Sequence, residues 1–354
     1  MKLRTFVSLA VCLAVVLTAW LLTRKVEPTG EVPSASMPKP VVIAQSPDPA
    51  SDPAVPAGRT FHSIDEVIAK LDAITLAQLS PWLDRTGRTA EVLVAAWELT
   101  RDPSLAAELA EKHSQDPRVC LTLLNSDAGT ADPVWVDRLR HAAPDHPLPD
   151  CLDAAKAAKS NDLAATKAAL ALALTKKGRR DNYQNERMVT LREAAAAAGL
   201  DAHTAAFAPA KALQSNAGLF AVAGGANALI QNINPGNKLE AEDAAATAIT
   251  LAEHLRAGRG DSLMADLFIA SVHHGALKFL PADTELGESG GTLGEAAARQ
   301  NELRELAKRG DKLNSAFGFA TPAEVTAYFD RFTQHGEAGA MEWALQRIKA
   351  GQGQ

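Results

Sequence analysis

The chain reads as all-α, built from short helices joined in hairpins, and three observations say so. Hydrophobic residues make up 47% of the 354 residues while aromatics make up only 5%, and alanine supplies much of the difference. Alanine is the strongest helix former and has no side chain to hold neighbouring helices apart, so many thin, closely packed helices follow. Aspartate–proline pairs then recur as helix starts: Pro117 lies 14 residues after Pro103 and Pro133 lies 16 after Pro117, while a further proline, Pro147, lies 14 after Pro133. One start about every 15 residues means helices of roughly ten residues and a hairpin about every 30. Finally, no window alternates with period two over a β-rich composition, so no strand is expected.

Taken in order, residues 1–25 predict a transmembrane signal anchor. Phe6–Leu22 is a 17-residue apolar run, with Lys2 and Arg4 before it and Arg24 and Lys25 after it. At ~1.5 Å per residue this is near the lower limit for crossing a bilayer core. A cleaved secretory signal needs small residues where the core ends, and here Trp20-Leu21-Leu22-Thr23-Arg24-Lys25 is bulky and then charged; Ser34-Ala35-Ser36 comes too late. Leu9-Ala10-Val11-Cys12 resembles a bacterial lipobox, yet Val11 is too large for its position and the apolar run continues past Cys12. A short basic N-terminus stays in the cytoplasm, so the expectation is a single-pass protein of the inner membrane with its C-terminal part outside.

Residues 26–59 form the next segment. Glu27–Ala57 holds eight prolines, which remove amide donors and hold φ near the polyproline II value, so neither helix nor sheet interior can form. Fully extended, this stretch would reach ~95 Å at ~3.1 Å per residue. No basic residue sits regularly beside a PxxP unit, so a spacer is expected in preference to a peptide ligand.

Helices are then expected in two regions, 60–200 and 201–350. Ser63-Ile64-Asp65-Glu66 has the form of a capping box, followed by Ile64, Val67, Ile68 and Leu71 on one face. Asp102-Pro103, Asp116-Pro117 and Asp132-Pro133 each place a capping carboxylate before a proline whose missing amide costs nothing at the first helical position. Thr321-Pro322-Ala323-Glu324 repeats the device ahead of Val325, Tyr328, Phe329 and Phe332. Between them, helices are expected near Glu186–Ala198, Leu219–Ile230, Lys238–Ala257, Ser262–Phe279 and Thr292–Arg309. Asn234-Pro235-Gly236-Asn237 is a turn, and Pro281 to Gly291 is the main irregular loop. Gly224-Gly225 within an alanine-rich helix costs about 1 kcal/mol per glycine, so either a neighbouring helix approaches closely there or the helix breaks.

The segment from Ala143-Pro144-Asp145-His146-Pro147-Leu148 through Leu174 resembles a tetratricopeptide-type unit. It has a Pro-Asp entry, a first helix Cys151 to Lys159, a Ser160-Asn161-Asp162 turn and a second helix from Leu163. His335-Gly336-Glu337-Ala338 is similar to a helix-pair turn. The likeness covers residues 89–198 and, faintly, 321–350, and is degenerate, since alanine replaces most large consensus residues. It implies stacked hairpins, as a solenoid or an irregular α-domain, in a membrane-anchored protein of bacterial type.

Composition bounds the function. Removing the six basic and four acidic side chains of residues 1–59 from the chain's 36 and 42 leaves 30 against 38, a net charge of −8. An acidic region without a basic stripe argues against nucleic-acid binding. Cys120 and Cys151 are too few for a zinc site; they pair in an oxidising compartment or stay buried as small hydrophobes.

Three constellations invite a chemical reading. Gly287-Glu288-Ser289-Gly290-Gly291 satisfies G-x-S-x-G and resembles the nucleophile segment of trypsin-like proteases, with Asp330 and His335 following in α/β-hydrolase order. A nucleophile elbow needs a hydrophobic strand before the turn, whereas Ala282-Asp283-Thr284-Glu285-Leu286 precedes this one. His273-His274, with Asp266 and with His254 on the preceding helix, lacks metal-ligand spacing, and adjacent histidines diverge on a helix. Asp181-Asn182-Tyr183-Gln184-Asn185-Glu186-Arg187 reads as a cap and helix start, with Met188 and Leu191 on the inner face. The basic run Lys176-Lys177-Gly178-Arg179-Arg180 reads as a charged helix end with a glycine stop. The expectation is therefore a non-enzymatic, membrane-anchored interaction or scaffolding module without cofactor or metal, held at the membrane through Phe6–Leu22 and binding a protein partner. The alternatives are a serine-type hydrolase using the Gly287–Gly291 loop or a purely structural envelope spacer.

Overall fold

Fifteen α-helices and one 3-10 segment make up the architecture among the described residues, and the all-α expectation holds. The computed structural model describes residues 63–125, 132–176, 183–214, 217–256, 262–287, 290–310, 313 and 317–351. The expected anchor Phe6–Leu22, the linker 26–59, Asp181, Asn182, Ser289 and the run 177–180 lie outside these residues. Among the described residues no helix is long and apolar enough to cross a membrane.

The helices are α1 Ile64–Asp72, α2 Leu76–Thr86, α3 Ala90–Thr100, α4 Pro103–Lys112, α5 Pro117–Leu124, α6 Pro133–Ala142, α7 Leu148–Lys159 and α8 Leu163–Thr175. Then come α9 Gln184–Ala197, α10 Ala202–Ala206, the 3-10 segment Ala208–Gln214, α11 Ala217–Gln231, α12 Lys238–Arg256, α13 Leu263–Ala276, α14 Leu293–Lys308 and α15 Pro322–Gly351.

The aspartate–proline starts behave as their chemistry requires. Asp102, Asp116 and Asp132 each accept a backbone N–H two residues on, from Ser104, Arg118 and Val134, at 2.9 Å in every case. Thr321 and Glu324 cap each other reciprocally, with Thr321 N–H donating to Glu324 at 2.8 Å. Two further reciprocal boxes, Thr75–Gln78 and Thr292–Glu295, start α2 and α14. Two expected caps need correction. Ser63 makes no side-chain cap, so α1 starts on its backbone carbonyl alone, with Val67 N–H donating at 3.0 Å. The N-cap position of α9 falls on Tyr183, in the left-handed region at φ 57° and without a side-chain cap hydrogen bond, and not on Asp181 or Asn182.

Sequential neighbours pack as hairpins: α5 with α6, α7 with α8, α11 with α12, α12 with α13 and α13 with α14. The turn between α7 and α8 is the expected one, with Asn161 at φ 58°. Helices far apart in sequence also meet: α11 lies on α7, α9 on α3, α10 on α1, and α15 on α9 and α10. Gly224 and Gly225 do not break α11, which runs straight through them. Gly225 instead faces Ala155 of α7 so closely that its hydrogen is the only substituent that fits. Near the end of the chain, Gly336 kinks α15 at φ 73°, ψ 172°, a conformation open to glycine alone, and so forms the helix-pair turn expected there.

Leu71, Leu79, Leu93, Leu105, Leu124, Met188 and Leu191 are fully buried in the main core, as is Phe332. Phe207, Phe317, Tyr328 and Phe329 join edge-to-face, at 5.8 Å, 4.8 Å and 5.3 Å between successive rings, and close α15 over the end of α10. A second, smaller core of Ala245, Ile249, Ala276, Leu286 and Leu293 ties the Pro281–Gly291 loop to α12, α13 and α14.

Candidate functional site

That second core fixes the position of the loop that looked irregular in sequence. Leu286 N–H donates to Gly291 at 3.0 Å, Leu293 N–H to Thr284 at 2.9 Å, and Gly294 N–H to Ala282 at 2.8 Å. Glu285 and Thr292 form one isolated antiparallel bridge, so the loop is a narrow return without a named strand among the described residues. Gly290 and Gly291 lie at φ 65° and 79°, where a side chain would be strained. The loop then leads directly into the Thr292–Glu295 cap of α14.

Beneath this return lies a pocket of about 260 Å³. Leu174 comes to it from the end of α8. Ala246, Ile249, Thr250, Glu253 and His254 come from α12, and Leu280 and the Thr284–Gly287 edge complete it. Lys167 on α8 holds Asp243 on α12 at 2.9 Å, which ties the two helices together. The walls are mainly aliphatic, and the polar groups are two carboxylates, one imidazole and two hydroxyls.

Their local bonds limit the chemistry. The Thr250 hydroxyl donates to the Ala246 carbonyl at 3.0 Å, within its own helix. His254 Nδ1 lies 3.1 Å from the Thr250 carbonyl, which can only accept, so Nδ1 carries a proton. Glu253 Oε1 lies 3.7 Å from Nε2 of the buried His273 on α13. No group of three or more metal-ligating side chains converges among the described residues.

The sequence candidates are partly brought together. The Gly287 end of the loop and His254 line one pocket, although the sequence offered them as parts of different sites. His273 is buried and His274 exposed, diverging as a helix demands. Asp266 lies near Glu337; burial first, and then the Asp266 charge, raises the Glu337 carboxyl, against the Leu263 N–H that donates to it at 2.7 Å. Asp330, second after Ser289 in the hydrolase order, is engaged by Arg192 of α9 at 3.4 Å. Of the polar cluster before α9, Arg187 turns inward to Glu98 on α3, a buried carboxylate, and Tyr183 receives the Arg118 guanidinium 5.8 Å from its ring centre. Lys176 closes the end of α8 by pairing with buried Asp150 at 2.5 Å, and Asp150 is also held by Arg140 at 3.2 Å. Cys120 and Cys151 are both buried, and no disulfide joins them.

Sequence reasoning missed Glu253, Glu285, Leu174 and Leu280. Glu253, directly before His254, was the available signal, because the pair lies on the face of α12 that also carries Ala246, Ile249 and Thr250. Comparisons of the chain with protein-family models, with curated proteins and with solved structures give no match.

Proposed function

We propose that this chain is a non-enzymatic protein-binding module held at the inner membrane, its helical part displayed outside the cytoplasm. In this reading Phe6–Leu22 anchors it, the proline-rich residues 26–59 hold it off the bilayer, and the hairpins form a degenerate tetratricopeptide-like array. The contacts of α1 with α10 and of α9 with α15 favour the irregular α-domain over an open solenoid, where a hairpin meets only its neighbours.

The observation that carries the binding role is the open pocket between α8, α12 and the Thr284–Gly287 edge. Leu174 remains 49% exposed at its rim, an apolar side chain poised to lose water when something docks. Its lining offers a surface with aliphatic walls and few polar groups, and no nucleophile–base pair among the described residues.

A photo-crosslinking residue placed at Leu174 of the full chain, in its native membrane, tests this. A discrete protein adduct is expected from Leu174 and none from Leu172, which is exposed on the outward face of the same helix. Equal adducts from both positions, or none from Leu174, would overturn the proposal. Protease digestion of spheroplasts tests the topology: the helical part is expected to be cut, and its protection would place it inside.

A further inference from the structure

We infer that the two arms of α15 bind an acidic segment of a partner protein through Arg331, Trp343 and Arg347. This surface shares no residue with the Leu174 pocket and adds a second contact to the binding role proposed there. Arg331 lies before the Gly336 kink, and Trp343 and Arg347 lie after it, so the chain reversal at Gly336 brings both guanidiniums to one indole. The guanidinium carbon of Arg331 lies 4.9 Å from the Trp343 ring centre, and that of Arg347 lies 5.5 Å from it. Attraction to the ring holds a guanidinium in place without using its N–H groups. Among the described residues neither arginine pairs with a carboxylate or donates a hydrogen bond, and Glu342, next to Trp343 in sequence, is no exception.

The arrangement matches carboxylates in charge and in spacing. Trp343 is half-buried, so the indole is a fixed platform, whereas both arginines are exposed and reachable. Two like charges gathered at one ring repel each other, and an anion docked on them relieves that repulsion. The guanidinium fork fits a carboxylate with two parallel hydrogen bonds, stronger than those to a neutral amide. Both guanidiniums lie within 5.5 Å of one point. Two acidic residues with one or two positions between them in an extended segment, roughly 7–10 Å apart at ~3.3 Å per residue, can therefore engage both. The excess of acidic side chains over residues 60–354 repels a polyanion at long range. Nucleic acid and an anionic bilayer are thereby disfavoured, and a short segment carrying two carboxylates is what the close-range charges select.

Fluorescence polarisation on the full chain in detergent tests this, with a labelled Gly-Glu-Ala-Glu-Gly amide against its Gly-Gln-Ala-Gln-Gly counterpart. The acidic peptide is expected to bind at least five-fold more tightly. Arg331→Gln and Arg347→Gln should each reduce that preference to under two-fold without altering the helical circular dichroism. Arg85→Gln, at an exposed arginine of α2, should leave it intact. Equal binding of the two peptides, no binding of either, a preference that survives Arg331→Gln or Arg347→Gln, or one lost equally with Arg85→Gln would overturn the assignment. Tighter binding of single-stranded RNA or of phosphatidylglycerol vesicles, lost in the same two variants, would also overturn it by making phosphate the ligand. A Leu174 adduct without any preference for the acidic peptide would leave the pocket's role standing and remove only this second surface.

Discussion

Gly225 of α11 sits against Ala155 of α7 so tightly that a β-carbon on the glycine would lie 2.5 Å from the alanine Cα and 2.8 Å from its carbonyl oxygen. The obstacle is backbone, which cannot rotate away. Gly225→Ala gains about 1 kcal/mol of helix propensity but forces the helices apart, at a cost of roughly 1–3 kcal/mol for overpacking and more where the packing around it loosens. A net loss of thermal stability is therefore expected. At Gly224 the same change meets only the flexible end of Lys159, at 3.3 Å, so Gly224→Ala should be neutral or stabilising by up to about 1 kcal/mol. Paired thermal melts check both, and equal effects at the two sites would refute the close approach.

Glu98 on α3 is buried and paired with Arg187 on α9. Removing one partner strands a buried charge, so Arg187→Leu should cost about 3–5 kcal/mol. The double change Glu98→Leu with Arg187→Leu removes both charges and should recover most of that loss. Urea unfolding of the two variants measures the difference; a double variant as unstable as the single one would contradict a simple pair.

Acid should weaken the contact of the α2–α3 turn with α4. The Arg88 guanidinium, hydrogen-bonded at 3.0 Å through Nε, is the main cause that holds the Glu108 carboxyl at about 2 instead of 4.5; burial opposes it and Lys112 adds to it. A depressed folded value means the stabilisation is present above the unfolded value and fades as pH falls from about 4.5 toward 2. Glu108→Gln should therefore melt at a lower temperature than the parent at pH 6, by an amount equivalent to about 1–3 kcal/mol. The gap should close as the pH approaches 2. A gap independent of pH would rule out this linkage.

Cys120 and Cys151 are expected to remain thiols. Cys120 is 0% exposed, and burial above all pushes its thiol up to about 11, so little nucleophilic thiolate forms at neutral pH. In a Cys12→Ser background, a thiol reagent should titrate both cysteines in denaturant without reductant and react slowly with the folded chain. Failure of both to appear after unfolding would indicate a disulfide.

The helices and their starts were legible in the sequence because the interactions that write them are local. A capping carboxylate, a proline at the first turn and an apolar spacing of three or four residues act within one or two turns. Asp102, Asp116, Asp132 and Thr321 therefore fall where they were expected, and Asn161 and Gly336 mark the expected turns. The sequence also singled out the Gly287–Gly291 loop and His254, but not their meeting. That meeting depends on Leu286 and Leu293 entering a core with Ile249, and on Lys167 reaching Asp243 across 76 residues. Contacts of that separation leave no periodic trace in a single chain.

Likewise, Gly224-Gly225 showed by itself that one of two outcomes must occur, and only the approach of Ala155 decided between them. Glu98 looks like any other helix-surface glutamate until Arg187 arrives from α9. Local hydrogen bonding and side-chain spacing thus determined which segments are helices and where each begins. The mutual register of those helices, and with it the pocket, came from long-range packing of small residues and a few buried ion pairs, whose energies exist only once distant segments touch.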